Sequence, residues 1–556
     1  MNKNLKKFVA ATMAVAMLVP SVVMAHPGHD TKGHMTVTDQ LTIPDPGRAK
    51  NIIFMIPDGG GTEALTLARW VDEDHHMNLD DMSTGLVRTS ISSKPIADSA
   101  PTATAYATGV KTQAPYLGTY GEEDCGMPGF EYDSAKANMP IATILEAAHR
   151  QGKSTGLVAT SNIQHATPAA YSSHTPNRKL YELIAEQQVY ENIDVMLGGG
   201  EQYLQADKRK DGEDLIGVIK EMGYDYVTDT QSMKDSKSDK LWGMFAADGM
   251  KKDIDRDPAK EPSLAEMTDK ALEILSKNDN GFFVMIEGSQ VDWAEHQNEP
   301  VGAATDYIAY DKAVGVAKQW ADKLGDTVVI SVADHACGGI SINNYNHNKD
   351  YMYVDLEEYI GIIKDAKFTG DEYARRLNAA GKTEEAAIAL AKEGFGIDLT
   401  EEEVKHVLSK KSFEESIGNV ISKRSSIGWT TLGHTGGDVG LYVYNTSNAR
   451  TLKGTVHNSQ LGQYAIQLMG IELDPLTQEL FQPMRDGFEK KGAKVEFEWK
   501  EDGNHILKAT KGDKVVEFPM DKNYAVVNGE KVELGGLTVS HKEKTWVPAK
   551  AFSLID

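Results

Sequence analysis

Acids stand at the ends of three apolar segments of this sequence, where their side chains could bind a cation. Asp58 follows "IIFMIP", Glu287 follows "FFVMI" and Asp334 follows "VVISVA". Ligands of open α/β sheets bind beyond the carboxyl ends of the strands, and carboxylates gathered there repel one another unless cations neutralise them. The three acids together therefore indicate a cation site, although a single strand-end aspartate would more simply cap a helix.

Several histidines have the surroundings of zinc ligands. Asp292 and His296 in "DWAEH" lie four residues apart, on one face of a helical turn, and zinc accepts carboxylate oxygen and imidazole nitrogen together. His434 stands between small residues in "GHTGGD", where a metal can approach closely. Taken singly, these residues are explained as well by a helical salt bridge and by a structural histidine.

Acids and histidines sort into two groups of three. Each group of three ligands leaves one zinc position open for a reactant, and two zinc ions about 4 Å apart would hold both oxygens of an in-line displacement. The first group is Asp292, His296 and His434, and the second group is Asp58, Asp334 and His335.

Ser99 lies beside Asp98 in "SSKPIADSAPTATAYATG", at the start of a predicted helix of small residues. A serine at this place could cap the helix. It could also be a nucleophile, because a serine hydroxyl can attack a substrate once a neighbouring group activates it. The stretch alone does not choose between the two roles.

Strands and helices alternate through the part of the sequence that carries these residues. Apolar segments such as "NIIFMIP", "STGLVAT" and "GFFVMIEG" are separated by amphipathic segments such as "PIATILEAAHRQG" and "SLAEMTDKALEILSK". This pattern is typical of βαβ units. The sequence therefore predicts an α/β fold, with a doubly wound, mainly parallel sheet flanked by helices.

Changes of composition suggest how the chain is divided. The main α/β domain is predicted over residues 45–475, with a charged helical insertion at about 341–432, and residues 476–490 are predicted to be a linker. Residues 491–556 alternate apolar and charged residues across Asp502-Gly503 and Asn528-Gly529, which are hairpin signals. They are expected to form a small, separate β-rich module.

The N-terminus has the form of a secretion signal. Residues 1–25 combine three lysines, the apolar "FVAATMAVAMLVP" and small residues before a cleavage site at Ala25. A retained membrane anchor is the alternative, but the apolar run is short for a span. We expect a periplasmic, extracellular or cell-surface protein with a disordered tail at 26–44 and no transmembrane segment after cleavage. Pairing of Cys125 with Cys337 is permitted outside the cytoplasm and is left open.

Charge narrows the classes of partner. The formal net charge of −24 argues against recognition of nucleic acid through a broad basic face. It does not exclude an anionic substrate, because a local metal cluster can outweigh the field of the whole chain.

Six motifs in one order resemble the alkaline phosphatase family. They are "PDGGG", "IADSAPTATAYATG", "HATPAAYSSHTPNR", "EGSQVDWAEHQN", "VADHACGG" and "LGHTGGD", which together span most of the chain. The resemblance implies a phosphomonoesterase that forms a covalent phosphoserine on Ser99, and family members are usually homodimers. It also implies that Arg178, oriented by Asp98, clamps the phosphoryl oxygens.

The resemblance further implies three metal ions. The first and second groups would each hold a zinc ion, and Ser99 would join the second group. A magnesium ion would be held by Asp58, Thr167 and Glu287, whose oxygen atoms are what Mg²⁺ prefers. His165 and Trp293 stand near the site without binding metal, where the best-known bacterial form has an aspartate and a lysine. We therefore expect weaker retention of phosphate product.

Other functions remain to be weighed against this one. A phosphodiesterase or sulfatase of the same superfamily is the nearest alternative, and a non-catalytic phosphate or metal scavenger that uses the tail is a more distant one. The C-terminal "YAVVNGEKVELGG" and "TWVPAKAFSLI" resemble the modules named after the copper amine oxidase N-terminal domain. That resemblance suggests cell-wall contact or spacing, and a hairpin domain without such a role is the alternative.

Overall fold

The computed structural model describes residues 43–123, 127, 132–344, 351–501, 503–541 and 544–556. The predicted signal sequence, nearly all of the predicted tail and Cys125 lie outside these residues. No helix in the described ranges is both long and apolar enough to cross a membrane.

A sheet of ten strands forms the centre of the molecule. Its spatial order is β14-β2-β13-β8-β1-β7-β3-β4-β6-β5, and β13 alone runs antiparallel to its neighbours. The predicted doubly wound, mainly parallel sheet is therefore confirmed. The first fourteen strands are β1 (Asn51–Pro57), β2 (Ser83–Arg88), β3 (Ser154–Asn162), β4 (Val195–Gly199), β5 (Asp225–Val227), β6 (Leu241–Met244), β7 (Phe282–Gly288), β8 (Thr327–Val332), β9 (Ala336–Cys337), β10 (Ser341–Ile342), β11 (Ile427–Gly428), β12 (His434–Thr435), β13 (Val439–Asn445) and β14 (Gly454–His457).

Helices cover both faces of this sheet. Ile52, Phe54 and Ile56 of β1 pack into one core, while Ile53 and Met55 pack into the other, because successive side chains of a strand point to opposite faces. The helices are α1 (Thr62–Val71), α2 (Ser99–Thr108), α3 (Ile144–Arg150), α4 (Ala166–Ser172), α5 (Tyr181–Tyr190), α6 (Leu215–Glu221), α7 (Thr230–Asp235), α8 (Leu264–Leu275), α9 (Gln290–Glu295), α10 (Pro300–Leu324), α11 (Leu356–Lys364), α12 (Gly370–Ala379), α13 (Glu384–Phe395), α14 (Glu401–Ser409), α15 (Phe413–Arg424), α16 (Asn458–Leu468), α17 (Leu473–Leu480) and α18 (Met484–Lys490).

Three adjacent parallel strands bring the predicted acids to one edge of the sheet. In the register of β1 with β7, Ile56 lies opposite Glu287, and Asp58 follows two residues later. Strand β8 lies on the other side of β1 and ends just before Asp334. The carboxyl ends of all three strands therefore meet at the same edge, as the sequence predicts.

The predicted insertion is a helical lobe that leaves and rejoins the fold at one point. Ser341 of β10 pairs with Gly428 of β11, so the two ends of the lobe are adjacent. Helices α11 to α15 lie between these strands and share a hydrophobic core with α1 and α10.

The C-terminal module is β-rich, as predicted, but the residues before it are structured. Residues 476–490 belong to α17, the short strand β15 (Gln482–Pro483) and α18. The module consists of a five-stranded antiparallel sheet and a three-stranded sheet that includes β15. Its strands are β16 (Lys494–Glu498), β17 (Ile506–Lys511), β18 (Lys514–Pro519), β19 (Tyr524–Val527), β20 (Glu530–Glu533), β21 (Val539–His541) and β22 (Lys544–Val547).

The module is not separate from the main domain in its packing. Leu537, Val539 and Trp546 of the module are buried in the same core as Leu145 and Phe481. Hairpin signals in the sequence predict strands, but they carry no information about which face of a small sheet will be covered by another part of the chain.

Candidate active site and metal centre

Ser99 is the first residue of α2, where the helix points its free backbone N–H groups toward the sheet edge. Asp98 holds the N-cap position, and Gly109, with a φ of 71°, ends the helix in the left-handed conformation. The Ser99 Oγ lies 3.3 Å from His335 Nε2. The side chain of Ser99 is thus turned toward the second group. Asp98 occupies the N-cap position without a side-chain hydrogen bond to the helix.

The first group brings Asp292, His296 and His434 together. His296 Nε2 lies 3.1 Å from His434 Nε2 and 3.3 Å from Asp292 Oδ2. The Nδ1 atoms of the two histidines face the carbonyl oxygens of Leu432 and Ala97 at 2.6 Å and 2.9 Å. Because a carbonyl only accepts, each Nδ1 carries a proton. Both Nε2 atoms are left facing the Asp292 carboxylate, where a metal ion would take the place of any proton on them. This is the arrangement of a metal site.

The second group lies directly beside the first. His335 Nε2 is 3.2 Å from Asp334 Oδ2 and 3.7 Å from Asp58 Oδ1. The His335 and His434 rings stack with their centroids 3.6 Å apart, which makes the two groups neighbours. With its Oγ 3.3 Å from His335 Nε2, Ser99 adds a fourth candidate metal ligand to this group.

A third group forms around Asp58 on its other side. Ligand atoms of Asp58, His165 and Glu287 lie within 4.8 Å of one another. The buried Oγ1 of Thr167 has no hydrogen-bond partner among the described residues. The resemblance noted in the sequence implies that His165 lies near this group without binding metal. In the structure it stands within ligand range, because it is the N-cap residue of α4, two residues before Thr167.

Arg178 is held in a fixed orientation at the open side of the site. Its Nη1 donates to Asp98 Oδ1 at 2.7 Å, and its Nη2 lies 3.0 Å from His165 Nε2, which therefore accepts. The guanidinium faces an open cleft of about 670 Å³ whose lining also includes Lys179 and Tyr181. Such a planar donor suits two oxygens of a phosphoryl group.

Trp293 packs behind His165. The two rings meet edge to face with centroids 5.7 Å apart. A side chain at Gly249 would meet the Trp293 ring at 2.6 Å, so the close approach of the tryptophan requires glycine there.

Charge at this edge is strongly unbalanced without cations. Asp58, Glu287 and Asp334 are fully buried, and each has a carboxylate oxygen without a hydrogen-bond partner in the described part of the chain. Burial and the neighbouring carboxylate of Asp334 raise the pKa of Asp58 well above its usual value. Burial also raises the pKa of Glu287 to about 8. These donors fit divalent cations, because buried carboxylates persist when a metal compensates them.

The pKa values of three other groups at the site shift in different directions, according to their neighbours. Burial and the Arg178 charge lower the pKa of His165 to about 3, so its imidazole is neutral. The hydrogen bond with Asp292 raises the pKa of His296 to about 9. Burial opposes ionisation of Asp98, but the Arg178 guanidinium outweighs it and keeps the pKa of Asp98 below its usual value.

Cys337 lies within the first group, although its position along the chain assigned it no role there. Its Sγ lies within 4.8 Å of the ligand atoms of Asp292, His296 and His434. It is brought there by β9, because Cys337 pairs with His434 across the antiparallel bridge to β12. Antiparallel pairing between two such short segments has no signal in the sequence.

Comparison with known proteins gives a consistent result for the two parts of the chain. The profile of the family described as alkaline phosphatase matches residues 49–470, and that of the copper amine oxidase N-terminal domain matches residues 471–554. The predicted resemblances of both parts are thus confirmed.

Three known proteins illustrate the similarity. The chain is 34% identical over 446 residues to alkaline phosphatase 4 of Bacillus subtilis (strain 168), covering 76% of this chain and 90% of that protein. It is 36% identical over 436 residues to alkaline phosphatase 3 of the same organism, and the match covers 74% of this chain and 87% of that protein. A cold-active alkaline phosphatase from a psychrophilic Shewanella sp., known from its crystal structure, has 27% sequence identity to this chain. The two structures superpose with a TM-score of 0.65, and the match covers 75% of this chain and 99% of that one.

Proposed function

The chain belongs to the alkaline phosphatase family, and we propose that it hydrolyses phosphate monoesters to an alcohol and inorganic phosphate through a phosphoserine at Ser99. The observation that carries this proposal is the position of Ser99 Oγ, which lies 3.3 Å from His335 Nε2 at the N-terminus of α2. A helix N-terminus stabilises a phosphoryl anion. A protein that only binds phosphate or metal has no need of a nucleophile at that point.

Three sets of residues would hold the metal ions. We assign zinc to the first group and to the second group with Ser99, and magnesium to the third group. When bound, the zinc ions supply positive charge that lowers the pKa of a hydroxyl or water and stabilises the oxygens of the phosphoryl group. The oxygen donors of the third group are Asp58, Thr167 and Glu287. His165 stands beside them and uses the lone pair of its Nε2 to accept from Arg178.

In this proposal the reaction consists of two successive displacements at the phosphorus atom. The Ser99 oxygen forms a bond to phosphorus while the ester P–O bond breaks, and the alcohol leaves with the proton that Ser99 gave up. A water oxygen next bonds to phosphorus while the bond to Ser99 breaks. One proton of that water returns to the Ser99 oxygen, and inorganic phosphate leaves. Throughout, Arg178 donates to two phosphoryl oxygens, and its bond to Asp98 keeps the guanidinium plane in place.

A comparison of substrates tests this function against the diesterase alternative. We expect the zinc- and magnesium-loaded protein to hydrolyse 4-nitrophenyl phosphate with a kcat/KM at least about 10³-fold above that for bis(4-nitrophenyl) phosphate. The Arg178 guanidinium pairs with two non-bridging oxygens, and a second ester group would displace one of these contacts and leave buried donors unpaired. Equal rates, or faster hydrolysis of the diester by the same sample, would contradict the assignment.

Trp293 provides a prediction about product release. We expect Trp293→Lys to lower the inhibition constant for inorganic phosphate about tenfold, or ~1.4 kcal/mol, because an ammonium would join Arg178 near the phosphate. The inhibition constant is measured from the hydrolysis of 4-nitrophenyl phosphate. Trp293→Met is the matched control, since it removes the ring contact with His165 without adding charge. Unchanged inhibition in the lysine variant would show that retention of phosphate is set elsewhere.

Secretion to the periplasm, the extracellular space or the cell surface stays a prediction, as do a homodimer and cell-wall contact through the C-terminal module.

A further inference from the structure

Asp521 of the C-terminal module reaches into the main domain and bonds to α5. It lies between β18 and β19 with a φ of 63°, in the left-handed region. Only 6% of its surface is exposed. Its Oδ1 accepts a hydrogen bond from Gln187 Nε2 at 2.7 Å.

The same Gln187 amide also bonds to the segment that leads to Arg178. The fully buried Gln187 side chain uses its Oε1 to accept from the backbone N–H of His174 at 2.7 Å. A carboxylate only accepts, so Asp521 forces the amide NH₂ toward the module and the amide oxygen toward His174. Gln187 Nε2 also donates to His174 O, at 3.4 Å, so Asp521 accepts the shorter of the two hydrogen bonds that hold the amide NH₂. Without Asp521, only the contacts with His174 orient the amide, and a rotation of the amide would leave the buried His174 N–H without its acceptor.

His174 begins a short segment that ends at Arg178. Its ring Nδ1 donates to Gly118 O at 2.9 Å. Thr175 exchanges two backbone hydrogen bonds with Leu117, and Arg178 N donates to Pro115 O at 3.0 Å. The backbone of Arg178 is therefore positioned by a series of hydrogen bonds along residues 174–178. The first of them is the bond from His174 N–H to Gln187.

Neighbouring contacts make the attachment of the module to α5 rigid. Lys522 Nζ lies 2.6 Å from Glu213 and 3.1 Å from Glu186 of α5. The Asn523 side chain donates to the carbonyl oxygen of Tyr190 at 2.8 Å. The module also shares the hydrophobic core of the main domain. These contacts together hold the backbone of Asp521 in place relative to α5.

From these contacts we propose that Asp521 is a positioning residue for Arg178, acting through Gln187 and His174. The module that matches the copper amine oxidase N-terminal domain is then a working part of the phosphate site and not only a spacer or attachment domain. This inference rests on the proposed function in one respect, namely that Arg178 binds the phosphoryl group.

A pair of substitutions at Asp521 tests the proposal in the full-length, metal-loaded protein. Asp521→Gly removes the carboxylate without straining the left-handed backbone, whereas Asp521→Asn keeps an oxygen that can accept from Gln187. The readout is the dissociation constant of inorganic phosphate, measured by calorimetry. We expect Asp521→Gly to weaken phosphate binding about fivefold to tenfold and Asp521→Asn to remain within about twofold.

Asn523→Ala is the matched control, because it removes a module contact to the far end of α5. Both Asp521→Gly and Asn523→Ala should lower Tm, but only the former should weaken phosphate binding. If Asp521→Gly does not fold, Gln187→Glu serves the same test. This substitution keeps the shape of the side chain but replaces the donor to Asp521 with a second carboxylate, so the contact becomes repulsive. Equal loss of phosphate affinity in Asn523→Ala would overturn the proposal.

A double-mutant cycle with Arg178→Ala separates this inference from the proposed function. If Asp521 acts through Arg178, Asp521→Gly should have no further effect on phosphate binding in the Arg178→Ala protein. Additive losses would overturn the positioning role while leaving Arg178 as the clamp. If Arg178→Ala itself leaves phosphate affinity unchanged, the assignment of the clamp fails, and this proposal fails with it.

Discussion

Replacing Ser99 with alanine is expected to lower kcat for 4-nitrophenyl phosphate by about 10⁴-fold or more, the scale seen when a nucleophile is removed. The alanine variant cannot form the covalent intermediate, because it lacks the Oγ that stands at the start of α2 beside His335. The metal content should stay near that of the wild type, because Asp58, Asp334 and His335 still surround the second position.

Ser92→Ala is the matched control for this substitution. Ser92 is buried in the same stretch of chain, with 1% of its surface exposed, but it is seven residues before the helix. We expect near wild-type kcat for this variant. A second readout is independent of turnover: after acid quenching during hydrolysis, mass spectrometry should find a phosphoryl group on the Ser99 peptide of the wild type. Turnover by Ser99→Ala within tenfold of wild type would end the phosphoserine assignment.

The strand-end acids illustrate what the sequence can predict. Asp58, Glu287 and Asp334 follow long apolar runs, and a parallel register fixes where those runs end relative to one another. Position along the chain therefore translates directly into position at the sheet edge. Asp292 and His296 are equally predictable, because a single helical turn relates them.

His165 and Cys337 illustrate what the sequence cannot predict. His165 comes within range of the third group because it is the N-cap residue of α4, and its ring lies close to both Arg178 and Asp58. Cys337 enters the first group through a bridge of two residues between β9 and β12. Both depend on side-chain direction at the ends of short elements, where hydrophobic periodicity carries no signal.

The C-terminal module shows the same limit at a larger scale. Its alternating residues predict hairpins correctly, but the face that carries Val539 and Trp546 gives no sign that it will be covered by the main domain. Asp521 in turn looks like an ordinary turn residue before Lys522. Its contact with Gln187 joins residues 334 positions apart, a separation that local patterns cannot resolve.

Removal of the metals is the second change with a large expected effect. Treatment with a chelator, followed by desalting, should abolish hydrolysis of 4-nitrophenyl phosphate. Zinc should restore most of the activity, and magnesium should add to it only after zinc. The reason is electrostatic: Asp58, Glu287 and Asp334 are fully buried, and without cations they would repel both one another and the substrate. Retention of full activity after verified loss of zinc would contradict the two-zinc assignment.

The pH dependence of stability gives a test that does not depend on turnover. In the metal-free protein, burial raises the pKa values of Asp58 and Glu287, the latter to about 8. The folded metal-free state therefore binds more protons than the unfolded state between the ordinary carboxyl range and about pH 8, so its stability falls as the pH rises through that window. Metal ions replace these protons and remove the cost of ionisation. We expect the Tm difference between loaded and metal-free protein to be larger at about pH 8.5 than at about pH 6. A difference that is constant or shrinks with pH would mean that the buried carboxylates of this edge are not where the metals bind.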